Sequence, residues 1–168
     1  MMKRRSRGFS LIEILTVLGI IGVLSLVTVP LFINYQRRNL VRSALREFTT
    51  TLRKARTDAI NSGGSGLTRV QVIGGREYQT FQSSDNGATW TGYNVRARHS
   101  PYNRNWLPET MRFTTVTFTD NAVNFRADGT AIQAGTIVMK TDWADIINEV
   151  TVEVSIAGQV KSTEKKAP

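Results

Sequence analysis

Cysteine is missing from the 168-residue chain, and histidine occurs once, at His99. The lack of cysteine excludes a disulfide framework, a thiol nucleophile and thiolate metal sites, though not an extracytoplasmic address. With a single imidazole there is no histidine cluster to bind a metal, and a Ser/His/Asp triad would have only His99 to use. The stretch "HSPYNRNWLPET" at 99–110 holds two prolines and reads as a long loop, which makes His99 an exposed spectator. Asp120, Asp128, Asp142 and Asp145 match no EF-hand spacing and read as turn and cap residues. "GGSG" at 63–66 lacks the Lys-Ser/Thr that completes a phosphate loop. The expectation is therefore a non-enzyme with no catalytic residue, metal ligand or cofactor.

Acidic charge is scarce as well: 13 acidic side chains face 22 basic ones, a formal charge of +9. Part of that excess is terminal. Lys3, Arg4, Arg5 and Arg7 precede Gly8, so loss of residues 1–8 removes four basic groups and no acidic one, lowering the charge to +5. The remainder still favours anionic partners weakly.

From Phe9 to Ile33 basic residues are absent, and the one carboxylate is Glu13; Leu, Ile and Val dominate. This run exceeds the ~20 residues that a helix needs to cross the hydrocarbon core. A secretory signal would be shorter and would end at a small-residue cleavage site. Here the run passes directly into the helix-compatible "NYQRRNLVRSALREF" and reads as a retained anchor. The short basic leader favours a cytoplasmic N-terminus. Arg37, Arg38 and Arg42 flank the far end, but long domains translocate largely regardless of charge.

Glu13 is costly inside lipid and calls for a partner. It either snorkels to the interface or pairs with the α-ammonium that cleavage between Gly8 and Phe9 would create one turn earlier. A desolvated ammonium–carboxylate pair, within one chain or between neighbours, would fix the register of bundled helices. The basic leader ending in Gly8, followed by "FSLIE" and a long apolar helix, resembles the N-terminus of type IV pilins and type II secretion pseudopilins. That resemblance implies cleavage after Gly8 by a prepilin peptidase and methylation of the new N-terminus at Phe9. It also implies filament docking guided by Glu13, with Gly22 and Pro30 as helix-loosening positions. Physically, a proline inside a helix removes one backbone hydrogen bond.

Beyond the anchor, residues 34–62 continue as an amphipathic helix. Val41, Leu45, Phe48, Leu52, Ala55 and Ala59 recur at three- and four-residue steps and form one apolar stripe. A second stripe holds Arg38, Arg42, Arg46, Arg53 and Arg56, about a quarter turn away. It reads either as a solvated flank, facing lipid headgroups at its lower end, or as a surface for nucleic-acid phosphates. The glycines of "NSGGSG" at 61–66 end the helix.

Residues 66–161 then read as six or seven short strands, among them "LTRVQVI", "REYQTFQ", "YNVRARH", "MRFTTVTFT" and "EVTVEVSI". Turn-formers separate them at 74–75, 85–87, 128–129 and 157–158. The fold class expected is α+β: a long N-terminal helix packed on an antiparallel sheet or sandwich. Trp90, Trp106 and Trp143 read as core of this head rather than as ligand platforms. Residues 162–168 read as a frayed tail.

"LRKARTDAINSG", "VNFRADGTAIQAGTIVM" and "VTVEVSIAGQVK" resemble the GspH/FimT branch of pseudopilins and minor pilins. The resemblance implies the pilin fold and a structural subunit of a type IV pilus or a type II secretion pseudopilus. The implied partners are other pilins in a helical filament, the prepilin peptidase, an inner-membrane assembly platform and the lipid bilayer. The implied location is the inner membrane, with the head in the periplasm or outside the cell, and then the filament. Some FimT members bind DNA during transformation through a glycine–arginine–any–arginine motif. Here the matching stretch is Gly158, Gln159, Val160 and Lys161, where an amide and a lysine replace the two arginines. DNA capture through the arginine stripe and Lys161 is thus the alternative reading, and adhesion by the middle strands a third.

Overall fold

Apolar residues at helical spacing, uninterrupted by glycine pairs until residue 63, give one helix, α1, spanning Leu11–Asn61 with Pro30 inside it. The computed structural model describes residues 10–64, 66–93, 104–143 and 147–165. The chain divides into two units, residues 1–36 and 37–168. In the first, large apolar side chains such as Leu11, Ile14, Leu18, Leu24, Leu31 and Phe32 are exposed. In the second, all six residues of the expected apolar stripe, from Val41 to Ala59, are buried. The helix stops where Ser62 donates its N–H to the Asp58 carbonyl and its hydroxyl to Ala59. Gly63 and Gly64 follow at positive φ, a backbone that side-chain-bearing residues resist.

Nine strands follow among the described residues: β1 Leu67–Val72, β2 Glu77–Ser83, β3 Thr91–Tyr93, β4 Arg104–Trp106, β5 Met111–Val116, β6 Ala122–Arg126, β7 Gly135–Thr141, β8 Glu149–Val154 and β9 Val160–Lys165. They form two antiparallel sheets. One has the order β3-β2-β1-β6 with β4 also on β2, and the other has the order β5-β7-β8-β9. Period-2 alternation sets the inner faces. Val70, Val72, Tyr78, Val123 and Phe125 are buried on the first sheet; Phe113, Ile137, Met139, Val150 and Val152 are buried on the second.

Helix and sheets meet at three rings. Phe48 of α1 packs edge-on against Tyr78 of β2, with centroids 5.0 Å apart, and tilted against Phe113 of β5 at 5.4 Å. Tyr78 and Phe113 close the triangle at 6.1 Å. Each fully buried ring or leucine on this stripe contributes on the order of 1.5–3 kcal/mol of burial, and aromatic pairing adds to it. Higher on α1, the Tyr93 hydroxyl donates to Asp58 at 2.9 Å. Burial and that carboxylate together raise the tyrosine pKa.

Three sequence expectations need correction. Residues 162–165 are not a frayed tail: Ser162 to Lys165 pair with Val152 to Glu149 along β8. "VKSTEK" is polar and mostly exposed, so its pairing comes from the open backbone edge of β8 rather than from burial. The 99–110 stretch is not all loop either. Arg104–Trp106 pairs with Gln79–Glu77, the part of β2 that β3 leaves open, since β3 pairs with residues 80–82. Nor do the tryptophans fill the core: Trp106 is exposed, and Trp90 and Trp143 are half-buried. The Phe48 cluster already occupies the space between helix and sheets. His99, Asp145 and most of "YNVRARH" lie outside the described residues.

The "DNG" turn after β2 is closed by Asp85. Its carboxylate accepts from the Ser83 hydroxyl at 2.6 Å and from the Thr89 N–H at 2.9 Å, and also from the Thr89 hydroxyl. Those bonds, led by Ser83, hold its pKa well below the ordinary 3.8. A carboxyl depressed by folding stabilises above its unfolded pKa, and that stabilisation fades as pH falls toward the folded value. Asp85→Asn should therefore lower the thermal midpoint at pH 7. The gap to the parent should close as pH drops below the usual carboxylate range, which melting curves across pH 2–7 will measure.

Candidate assembly site

The first unit carries one ionisable side chain between Leu11 and Ile33, Glu13, in the first turn of α1. Glu13, Ile14, Val17 and Leu18 line a shallow hollow of about 350 Å³ with an almost wholly apolar wall. The neutral polar groups of this stretch are satisfied within the helix. Thr16 donates to the Ile12 carbonyl at 2.8 Å, Ser25 to Ile21 at 2.7 Å and Thr28 to Leu24 at 2.9 Å. Back-bonding of this kind lets hydroxyls sit in hydrocarbon without unmet donors. Glu13 has no such internal solution, because a carboxylate only accepts. Around Gly22 nothing lies within 4 Å of where a Cβ would stand, so no contact within the described chain requires a glycine there. Pro30 supplies no N–H to the Leu26 carbonyl one turn below. Gly8 and Phe9 lie outside the described residues.

The arginine stripe does not behave as one surface. Arg42 pairs with Glu164 of β9, its Nε and Nη2 3.3 and 3.4 Å from the two carboxylate oxygens. Both side chains are partly exposed, at 50% and 31%, so the pair is screened and worth about 0–1 kcal/mol. Arg56 is half-buried and donates from Nε to the Gly129 carbonyl at 2.8 Å and from Nη2 to Ala157 at 3.2 Å. Arg38, Arg46 and Arg53 are exposed, and no ion pair involves them among the described residues. Lys161 is exposed on β9, opposite Glu153.

Two arginine contacts escaped the sequence reading. Arg37 lies over the Trp143 ring at 5.4 Å. Arg69 is stacked against Trp90 at 4.2 Å and Phe81 at 4.9 Å. Strand parity carried a faint signal for the second, since Arg69 and Phe81 are register partners on the outward face of the first sheet. Nothing local in the sequence pairs Arg37 with a residue more than a hundred positions away. No group of three or more histidine, aspartate or glutamate side chains among the described residues could hold a metal.

Residues 3–29 match the family described as the prokaryotic N-terminal methylation motif, and residues 44–158 match the type II transport protein GspH. The chain belongs to the GspH family. Gly8, Phe9, Glu13 and Gly22 fall inside the first match, and Pro30 lies one residue past it. This GspH chain is similar to the prepilin peptidase-dependent protein D of Escherichia coli K12, 35% identical over 60 residues. That match covers 36% of the chain and only 41% of the relative. Among solved structures, it resembles the minor pseudopilin EpsH of the Vibrio cholerae type 2 secretion system, with a TM-score of 0.53 at 16% identity. That alignment covers 73% of this chain and 94% of EpsH. It also resembles the type IV minor pilin FimU of Pseudomonas aeruginosa, with a TM-score of 0.54 at 15% identity, covering 79% and 98%. At such identities the likeness speaks for the fold alone: a long helix on antiparallel sheets, as expected. Family and fold describe a structural pilin-like subunit, not an enzyme.

The Gly158 turn shows how the head depends on Arg56. Gly158 has φ +72°, and a Cβ there would collide with the Gly129 carbonyl oxygen and lie 2.8 Å from Arg56 Nε. Gly158→Ala should therefore cost about 2–4 kcal/mol, from backbone strain plus loosened guanidinium bonds. Gly74→Ala, placed in open space at ordinary φ, should change little. Urea unfolding of the two variants beside the parent will separate them.

Proposed function

We propose that this chain is a minor pilin or pseudopilin which a prepilin peptidase cuts after Gly8 and which is then methylated on Phe9. It enters a helical filament through residues 9–33. One observation carries the reading: a methylation-type N-terminus runs directly into an apolar stretch, ending at Ile33, whose only ionisable side chain is Glu13, ahead of a GspH head. Before assembly, the helix spans the inner membrane once, with the leader in the cytoplasm and the head in the periplasm or outside the cell.

In the filament, Glu13 meets the new Phe9 amine of its own or a neighbouring chain, which neutralises both charges where water is scarce. Gly22 allows a neighbouring helix to approach closely, and Pro30 leaves a carbonyl unpaired where the helix can loosen. The partners are other pilins, the peptidase, the inner-membrane assembly platform and the lipid bilayer. The DNA-capture alternative loses support, because Arg56 is held by two backbone carbonyls of the head and Arg42 faces the Glu164 carboxylate at the surface. Arg38, Arg46 and Arg53 remain as exposed cations on the helix, and Lys161 as one on β9 opposite Glu153.

Mass spectrometry of the native protein should find a chain beginning with methylated Phe9, and Gly8→Val should leave the leader attached. A parent chain still beginning at Met1 or Met2 contradicts the proposal. Glu13→Ala should fractionate with membranes as the parent does, yet enter sheared filaments on the order of tenfold less. Equal incorporation removes the role given to the carboxylate.

A further inference from the structure

We propose that the base of the head is a bilayer contact, in which Trp143, stacked on Arg37, sits among the lipid headgroups. The inference rests on the reading above that residues 9–33 cross the membrane. Both residues belong to the second unit. The Arg37 guanidinium carbon lies 5.4 Å from the Trp143 ring centroid, and the half-buried indole packs against the edge of the core. The core edge and the stacked guanidinium together fix where the ring sits.

Chain length then places this pair. Arg37 follows Ile33, the last residue of the apolar run, by four positions. Four residues rise about 6 Å as helix and at most about 14 Å fully extended. The headgroup layer is roughly 5–8 Å thick on each side of the hydrocarbon core. Whatever path the chain takes at Gln36, Arg37 cannot be far above that layer, and Trp143 is held to Arg37. Indole suits this depth, because it joins a large apolar ring to one N–H donor that finds partners among headgroups and water.

The charges around the ring indicate what kind of surface it fits. Next to the stacked pair in sequence stand Arg38, after Arg37, and exposed Asp142, before Trp143, while Arg42 one turn above pairs with Glu164. These groups leave a single net positive charge beside a large ring, so the ring rather than net charge drives the contact, and zwitterionic lipid suffices. Such a contact keeps the head of an unassembled subunit against the membrane surface.

The test uses the full chain in phosphatidylcholine vesicles carrying a spin label either at the headgroup or near the end of the acyl chain. The headgroup label should quench part of the tryptophan emission more than the deep label does. That component should vanish in Trp143→Phe, and in Trp143→Tyr should the first variant fold poorly, while persisting in Trp106→Phe. Addition of phosphatidylglycerol should leave it largely unchanged. Headgroup quenching that is equal in the parent and the Trp143 variants overturns the inference, and so does quenching that requires the anionic lipid. A chain that floats with the vesicles but shows no headgroup quenching overturns this contact alone. A chain that does not float with them overturns the membrane-spanning reading as well.

Discussion

The head depends on the ring of Phe48 standing between two sheets. One edge meets Tyr78 on the first sheet and the other side meets Phe113 on the second, so a single helical residue ties three elements together. The sheets are not neighbours by strand pairing; each has its own ladder and its own edges. What makes them one core is the apolar stripe of α1 lying against both. Phe48, Leu52, Ala55 and Ala59 are fully buried there, the small alanines allowing close approach where the larger side chains have filled the space lower down.

The two units meet opposite solvent requirements with one continuous helix. From residue 41 onward α1 is amphipathic, because one side covers sheets and the other meets water. From Leu11 to Ile33 the sequence is apolar around the helix, with hydroxyls folded back onto carbonyls, which is the pattern of a helix surrounded by hydrocarbon or by other apolar helices. Glu13 is the exception, and it falls within residues 3–29, which match the N-terminal methylation motif.

Where the information was periodic, it was legible in the sequence. The helix and its buried stripe follow from spacing alone, and β1, β2, β5, β6, β7 and β8 follow from alternation between turn-formers. The edges of the sheets were harder to read. β9 is polar and β4 is three residues long, so each exists because a neighbouring strand offers unpaired backbone groups, a demand written in the partner and not in the strand itself. The arginines illustrate the same limit. Stripe geometry placed Arg42 and Arg56 on one side of the helix, but their actual neighbours, Glu164, Gly129 and Ala157, lie 73 to 122 positions away and become visible only once the sheets are assembled. The methylation motif matched at residues 3–29 was legible for the opposite reason, because its pattern is local: a basic leader, a glycine and one acid in an apolar run.

Arg56 has a mechanical consequence. Its guanidinium holds the carbonyl of Gly129, in the turn leaving the first sheet, and that of Ala157, in the β8–β9 hairpin of the second. Sliding one sheet past the other would have to stretch both bonds together, so the guanidinium acts as a cross-brace against shear. Braced in this way, the two layers of the head respond to a load as one body.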